Sequence, residues 1–65
     1  MIKLSSLRDV LYSTHGYVQM AVIYDDVNDE DIDEGTVESI IDAYGDYPIK
    51  HIEAWKDTLV FTIAQ

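Results

Sequence analysis

The ten residues from Asp25 to Glu34 carry seven carboxylates and only two apolar side chains, Val27 and Ile32. Like charges at this density disfavour a regular paired strand, because neighbouring carboxylates on one face repel each other. The composition therefore predicts a mobile, solvated connection between the elements on either side. The alternative is a wide hairpin that returns through Ile32 to Gly35.

A first helix is predicted over residues 5–14. Ser6 followed by Asp9 is typical of a capping box, and Gly16 is expected to end the helix in the left-handed conformation. The apolar residues of this segment have the spacing of one helical face. They are Leu4, Leu7, Val10 and Leu11.

The next segment, Tyr17–Tyr24, predicts a strand because it is uncharged, contains no glycine or proline, and is rich in β-branched and aromatic residues. Apolar side chains fall on both of its faces. That pattern indicates a central strand, or an edge strand that a partner covers.

The segment after the acidic residues predicts a second helix that Thr36 caps and Gly45 ends, with apolar residues at helical spacing. Pro48 opens a strand over Ile49–Trp55, and a tight turn leads to the strand Thr58–Ile63. In that last strand Leu59, Phe61 and Ile63 are expected to face inward, and Thr58, Val60 and Thr62 outward.

The order helix, strand, acidic segment, helix, strand, strand predicts a single α+β domain over residues 1–65. We expect a small, mainly antiparallel sheet of three to four strands with two short helices on one face. A chain of 65 residues without cysteine buries roughly 60% of its surface and has no covalent staple. Its core is therefore stabilised by packing of the aromatic residues or by formation of a homodimer. The absence of cysteine fits a reducing cytosol, and no signal peptide or membrane-spanning segment is expected.

The charged residues of the chain are mostly acidic and unevenly distributed. The chain has a net charge of −9, and the 41 residues from Asp9 to Ile49 contain eleven carboxylates and no lysine or arginine. Such a field attracts basic surfaces and disfavours direct binding of nucleic acid or an anionic membrane. Seven carboxylates over roughly 33 Å of extended chain approach the charge density of one DNA strand, which carries one charge per about 3.4 Å.

The expected contact with a basic partner therefore lies in the acidic segment. Its carboxylates are Asp25, Asp26, Asp29, Glu30, Asp31, Asp33 and Glu34. Glu38 and Asp42 on the second helix are a predicted second row. Tyr24 and Tyr47 are candidate anchors, because tyrosine is enriched among the residues that dominate interfaces.

Calcium binding is an alternative for the same segment, because Asp26-x-Asn28-x-Glu30 resembles part of an EF-hand loop. In the overlapping frame that starts at Asp29, Glu34 stands where that loop needs glycine, so only an irregular calcium site would fit. His15 falls at the end of a predicted helix and His51 alternates with Glu53 on a predicted strand, which are common structural positions for histidine. The chain is therefore expected not to be an enzyme and to use no cofactor or metal.

In size, acidity and lack of cysteine, and in its acidic stretch Asp25–Glu34, the chain resembles small inhibitors encoded by phages and mobile elements, of the anti-CRISPR and anti-restriction type. Its order of elements, with EGTV opening the second helix, is also similar to that of small prophage proteins. The resemblance implies a non-enzymatic DNA mimic in the bacterial cytoplasm that blocks the basic cleft of a nucleic-acid-processing protein such as a CRISPR nuclease. Two alternatives stay open: a self-associating module with a solubilising acidic loop, and an immunity or antitoxin-type protein against a basic nuclease.

Overall fold

The protein is described by a computed structural model that covers residues 2–11 and 18–64. Its elements in chain order are β1 (Ile2–Lys3), a 3₁₀ helix (Leu4–Leu7), α1 (Arg8–Leu11), β2 (Met20–Asp25), β3 (Glu30–Thr36), α2 (Val37–Tyr44), β4 (Pro48–Trp55) and β5 (Thr58–Ile63). The five strands form one sheet in the order β1-β4-β5-β2-β3. Every neighbouring pair is antiparallel except β2 and β5, which are parallel. The predicted α+β class is confirmed, with five strands instead of three to four.

One hydrophobic cluster joins the helices to one face of the sheet. The buried side of α2 packs against the 3₁₀ helix and against inward-facing residues of the strands. The buried members are Leu4, Ala21, Ile23, Val37, Ile40, Ile41, Ile49, Phe61 and Ile63. Register places Val22, Tyr24 and Val60 on the opposite face, which we call the open face. Neither helix in the described part of the chain has the length and apolar content needed to cross a membrane.

The first helical segment differs from its prediction. It begins at Leu4 as a 3₁₀ helix, and Lys3 is in the capping position without a side-chain hydrogen bond, so the expected serine cap is wrong. Leu4 is fully buried, whereas Val10 is 78% exposed. The tighter 3₁₀ turn changes which positions share a face, so Val10 leaves the apolar stripe. Residues 12–14 of the predicted helix, together with Gly16, lie outside the described residues.

Strand β2 is central, as one reading of its two apolar faces predicted. It lies between β5 and β3 and begins at Met20, so Val18 and Gln19 are not part of it. The strand cannot begin earlier in the sheet because β3 ends at Thr36 and the chain turns into α2. The carbonyl of Gln19 instead accepts a hydrogen bond from the amide of Val37, 2.8 Å away. Tyr17 lies outside the described residues.

The expectation of a solvated connection over Asp25–Glu34 is wrong for its second half. Glu30–Thr36 forms a regular strand, β3, that pairs antiparallel with β2, which corresponds to the hairpin alternative. The pairing is possible because the carboxylates of an edge strand remain in water on every side except that of β2, which lowers the cost of their repulsion. The register shifts by one residue at Ile32, a β-bulge typical of edge strands.

Helix α2 begins and ends where its sequence predicts. Thr36 caps it, since the hydroxyl oxygen of Thr36 accepts a hydrogen bond from the amide of Ser39 at 3.1 Å. Gly45 follows the last helical residue with a right-handed φ of −58°. Glycine is needed there for space, because a Cβ would lie 2.8 Å from the carbonyl oxygen of Ile41.

The hairpin of β4 and β5 is confirmed with its two-residue turn, Lys56-Asp57. Lys56 has a φ of 57°, the left-handed conformation that this turn requires and that glycine adopts more easily. Phe61 and Ile63 face the core as predicted. Thr62 is the exception among the outward positions, because it is only 5% exposed on the open face, between Tyr24 of β2 and His51 of β4.

The position of the core predicts that loss of one methylene group lowers stability more at a buried residue than at an exposed one. Ile41→Val is expected to lower the free energy of unfolding by about 1 kcal/mol, because Ile41 is fully buried. Ile2→Val makes the same chemical change at a site that is 48% exposed and is expected to change it by less than about 0.5 kcal/mol. Urea unfolding followed by far-ultraviolet circular dichroism measures both. Equal losses in the two variants would contradict this placement of the core.

Candidate functional site: an acidic sheet edge

The acidic residues lie along one edge of the sheet. Strand β3 is last in the strand order and pairs with β2 alone among the described strands. Asp31 and Glu34 are opposite Tyr24 and Val22 and so share the open face, whereas Asp33 is opposite Ile23 on the helix face. We call the exposed carboxylates of β3 and of its turn the acidic edge. They are Asp26, Asp29, Glu30, Asp31, Asp33 and Glu34.

Asp25 belongs to the turn rather than to this exposed set. Its side chain is 5% exposed, and its Oδ1 accepts hydrogen bonds from the amides of Val27 and Asn28 at 2.9 and 3.2 Å. Its Oδ2 accepts a further bond from Nδ2 of Asn28 at 2.7 Å. An aspartate that bonds backbone amides two and three residues later fixes a turn locally. Asp25 therefore shapes the β2–β3 turn, and we leave it out of the proposed contact.

Two tyrosines hold the acidic segment from opposite faces of the sheet. The Tyr24 hydroxyl donates a hydrogen bond to Oδ1 of Asp29 on the open face. The Tyr44 hydroxyl donates one to Oδ2 of Asp33, at 2.8 Å, on the helix face. A phenol donates to a carboxylate without carrying a positive charge. The segment is thereby tied to its neighbours with its negative charge intact.

The hydrogen bonds to carboxylates raise the pKa of both tyrosine hydroxyls. The bond to Asp29, and then partial burial and the charges of nearby aspartates, raise the pKa of Tyr24 from 10.0 to about 12. The bond to Asp33 is likewise the main reason that the pKa of Tyr44 is raised. In both cases the neutral phenol donates a hydrogen bond that the phenolate could not, so the proton is held more tightly.

Two carboxylates of the predicted contact form ion pairs. Asp26 lies 2.7 Å from Nζ of Lys50, and Oδ1 of Asp42 lies 3.1 Å from Nη2 of Arg8. All four side chains are more than one-third exposed, so solvent screens both pairs and their contribution to stability is small. The pairs nevertheless reduce the charge that Asp26 and Asp42 can present to a partner.

The remaining carboxylates of the predicted contact are bare, by which we mean that no described residue forms a hydrogen bond or ion pair with their side chains. Glu30, Asp31, Glu34 and Glu38 are exposed, and in the described residues no hydrogen bond or ion pair engages their side chains. The first three lie on β3, whereas Glu38 lies in the first turn of α2. The structure thus places four of the seven first-row carboxylates on β3, with Asp25 at the end of β2 and Asp26 and Asp29 in the turn between the strands.

The two predicted anchors differ in their surroundings. Tyr24 is half-buried on the open face and engaged with Asp29. Tyr47 is 41% exposed and packs edge-to-face on Tyr44, with ring centroids 5.4 Å apart. Tyr44 was not predicted as a residue of this site, because its helical spacing fits the apolar stripe of α2. Lys50 was missed because nothing in the local sequence connects it with Asp26.

Side-chain clusters that bind metals, or that act as acids and bases, are a second kind of candidate site in the described residues. In residues 2–11 and 18–64, no three His, Asp or Glu side chains come together as metal ligands. His51 lies 3.9 Å from Glu53 on the exposed surface of β4. Comparison with known proteins gives no match to a family model, a curated protein or a solved structure.

The turn function of Asp25 predicts a loss of stability. Asp25→Ala is expected to lower the free energy of unfolding by about 2 kcal/mol, because three donors lose a charged acceptor in a partly buried turn. The matched control is Glu30→Ala, which removes an exposed carboxylate without hydrogen-bond partners in the described chain and should cost less than about 0.5 kcal/mol. Urea unfolding separates the two. A loss for Asp25→Ala no larger than for Glu30→Ala would show that the turn does not need this carboxylate.

The phenol of Tyr24 predicts a response to alkaline pH. A pKa raised on folding stabilises the native state fully below pH 10, and this stabilisation is lost as the pH rises through about 12. An absorbance titration of tyrosinate, compared between the wild type and Tyr24→Phe, should isolate one phenol that ionises near pH 12. The wild type should also lose stability between pH 10 and 12 more steeply than Tyr24→Phe. A difference titration centred near pH 10 would mean that Tyr24 does not donate to Asp29 in solution.

Proposed function

We propose that the protein is a non-enzymatic inhibitor whose acidic edge occupies the basic nucleic-acid-binding cleft of a target protein. A CRISPR nuclease in the bacterial cytoplasm is the sharpest form of the proposal. The observation that carries it is the ordered, exposed strand β3, on which four carboxylates lie within five residues and no described lysine or arginine forms an ion pair with them.

Charge spacing supports mimicry of a phosphate backbone. Glu30, Asp31, Asp33 and Glu34 fall within five consecutive residues of β3. At a rise of about 3.4 Å per residue, this is one charge per roughly 4 Å of strand, close to the one per about 3.4 Å of a single DNA strand. Carboxylates, like phosphate oxygens, only accept hydrogen bonds, so arginine side chains in a cleft can pair with either group in the same bidentate manner.

Order before binding also favours this function. A disordered acidic tail loses conformational entropy when it binds, and that loss weakens the complex. Here the pairing with β2, the turn at Asp25 and the two tyrosine hydroxyls already fix the segment. More of the electrostatic attraction is then available for binding.

The position at an edge makes the charges accessible from two sides. Asp31 and Glu34 project on the open face, and Asp33 on the helix face, so a cleft that surrounds the edge meets carboxylates on both of its walls. Tyr24, bonded to Asp29, is the aromatic contact beside this edge, and Tyr47, packed on Tyr44, is the second proposed anchor. An immunity protein against a basic nuclease toxin would use the same surface, and the identity of the captured target separates the two.

The first experiment is a pull-down from bacterial lysate with the tagged protein at about 0.1 M and at about 0.5 M salt, where the Debye length is less than half as long. We expect a nucleic-acid-processing protein to be retained at the lower salt concentration only, and to be released by duplex DNA. Capture of a CRISPR effector would support the sharpest form of the proposal. Failure to capture any nucleic-acid-binding protein at either concentration would contradict it.

The binding surface is tested with the captured target. Glu30→Gln, Asp31→Asn and Glu34→Gln together remove three bare charges from the acidic edge and should weaken binding tenfold or more, by about 1.4 kcal/mol at least. The matched control neutralises three exposed carboxylates elsewhere, Asp9, Asp46 and Asp57, to asparagine. Both triple variants have the same net charge. Equal weakening in titration calorimetry would show that only overall charge matters and that β3 is not the contact.

A further inference from the structure

The edge of the sheet opposite β3 is formed by the short strand β1 and by the part of β4 that extends beyond it. Strand β4 runs from Pro48 to Trp55, but among the described residues β1 pairs only with Ile49 and Pro48. From Lys50 onward, one row of backbone amides and carbonyls of β4 therefore has no described strand beside it, over about 20 Å. Such an edge is a template for pairing with another strand.

This edge differs from that of β3 mainly in its charge. The acidic edge repels a second copy of itself and contains a bulge at Ile32, whereas the register shift of β4 lies at Lys50, beside the end of β1. On β4 the exposed side chains include Ile52, at 40%, and Trp55, at 64%. Its charges are of both signs, because Lys50, His51 and Glu53 follow one another within four residues. An edge with mixed charge and exposed apolar groups fits a partner strand of the same composition.

Symmetry restricts how two copies of β4 can pair. In an antiparallel pair about a two-fold axis perpendicular to the sheet, facing residues lie on the same face, so one residue must face its own copy. With Glu53 on the axis, Glu53 would face its own copy, which places like charges together. With His51 on the axis, only His51 would pair in regular register, because the register of β4 shifts at Lys50 and β1 already occupies Ile49.

The register with Ile52 on the axis avoids the like charges and allows a longer pairing. Each His51 then faces Glu53 of the second copy. His51, Ile52 and Glu53 of each strand pair before the register shift at Lys50 ends the contact, and the two Ile52 side chains meet on the helix face. His51 and Glu53 already lie 3.9 Å apart within one chain, so in the pair two histidines and two glutamates would form one alternating cluster.

We propose that the protein forms a homodimer in which the β4 edges of two copies pair antiparallel about Ile52, giving one continuous ten-stranded sheet. The acidic edges then lie at the two outer ends. They are separated by seven strand spacings, about 34 Å, which is several Debye lengths at physiological salt. The net charge of −9 on each copy therefore opposes this dimer only weakly. The inference does not depend on the proposed inhibitor function.

Analytical ultracentrifugation tests the dimer between roughly 10 and 500 µM protein, since an equilibrium between monomer and dimer follows protomer concentration. The expected result is a shift of the average mass from one chain toward two chains. A mass of one chain over the whole range would overturn the proposal. So would a mass that rises beyond two chains, because pairing about a two-fold axis closes at the dimer.

A charge exchange tests the register. Glu53→Lys removes the carboxylate that faces His51 of the second copy, and His51→Glu places two glutamates opposite each other. Each single variant should weaken dimerisation about tenfold or more. The double variant H51E/E53K restores opposite charges across the axis and should return to within about threefold of the wild type. Asp9→Lys makes the same charge change as Glu53→Lys on α1 and should leave the dimer intact.

Circular dichroism must first show that every variant retains the wild-type fold. Dimerisation of both single variants with wild-type strength would overturn the proposed register. A double variant as weak as the single variants would overturn it as well, because the effect would then come from the substitutions themselves and not from the pairing of His51 with Glu53.

Discussion

Strand β2 is the element on which the rest of the sheet depends. It is the link between the acidic strand and the core, because Ala21 and Ile23 are fully buried while its two sides pair with β5 and β3. Strand β3 itself has no buried residue. Its order therefore derives from the hydrogen bonds to β2 and from the contacts at its ends, which together outweigh the repulsion among its carboxylates. Loosening of β2 in the core would release the acidic edge as well.

The sequence predicted the elements whose own side chains determine their structure. The spacing of the apolar residues in α2 reports which face is buried, its cap at Thr36 is a local hydrogen bond, and the β-branched and aromatic residues of β5 favour a strand. Strand β3 could not be predicted in this way, because its composition opposes strand formation and its partner decides the outcome. A local signal did exist: Asp25 followed by Asn28 is typical of an Asx turn and favoured the hairpin.

The candidate site was predicted in position but not in detail. The acidic segment was recognisable from charge alone, whereas the division of its carboxylates by role required the fold. Asp25 is buried in a turn, Asp26 is paired with Lys50, and Asp33 receives a hydrogen bond from Tyr44. The contacts of Asp26 and Asp33 join residues that are distant in sequence. Composition cannot distinguish a carboxylate that supports the structure from one that is bare on the surface.

The two edges of the sheet also differ in charge, and this difference allows them to serve different contacts. Two of the four basic residues, Lys3 and Lys56, lie on β1 and in the turn after β4, whereas every charged residue of β3 is a carboxylate. A basic partner is therefore attracted toward β3 and away from β4 over distances longer than any contact. Pairing of two copies through β4 would leave both acidic edges free. Self-association and binding of a basic target are then compatible, since they use opposite sides of one sheet.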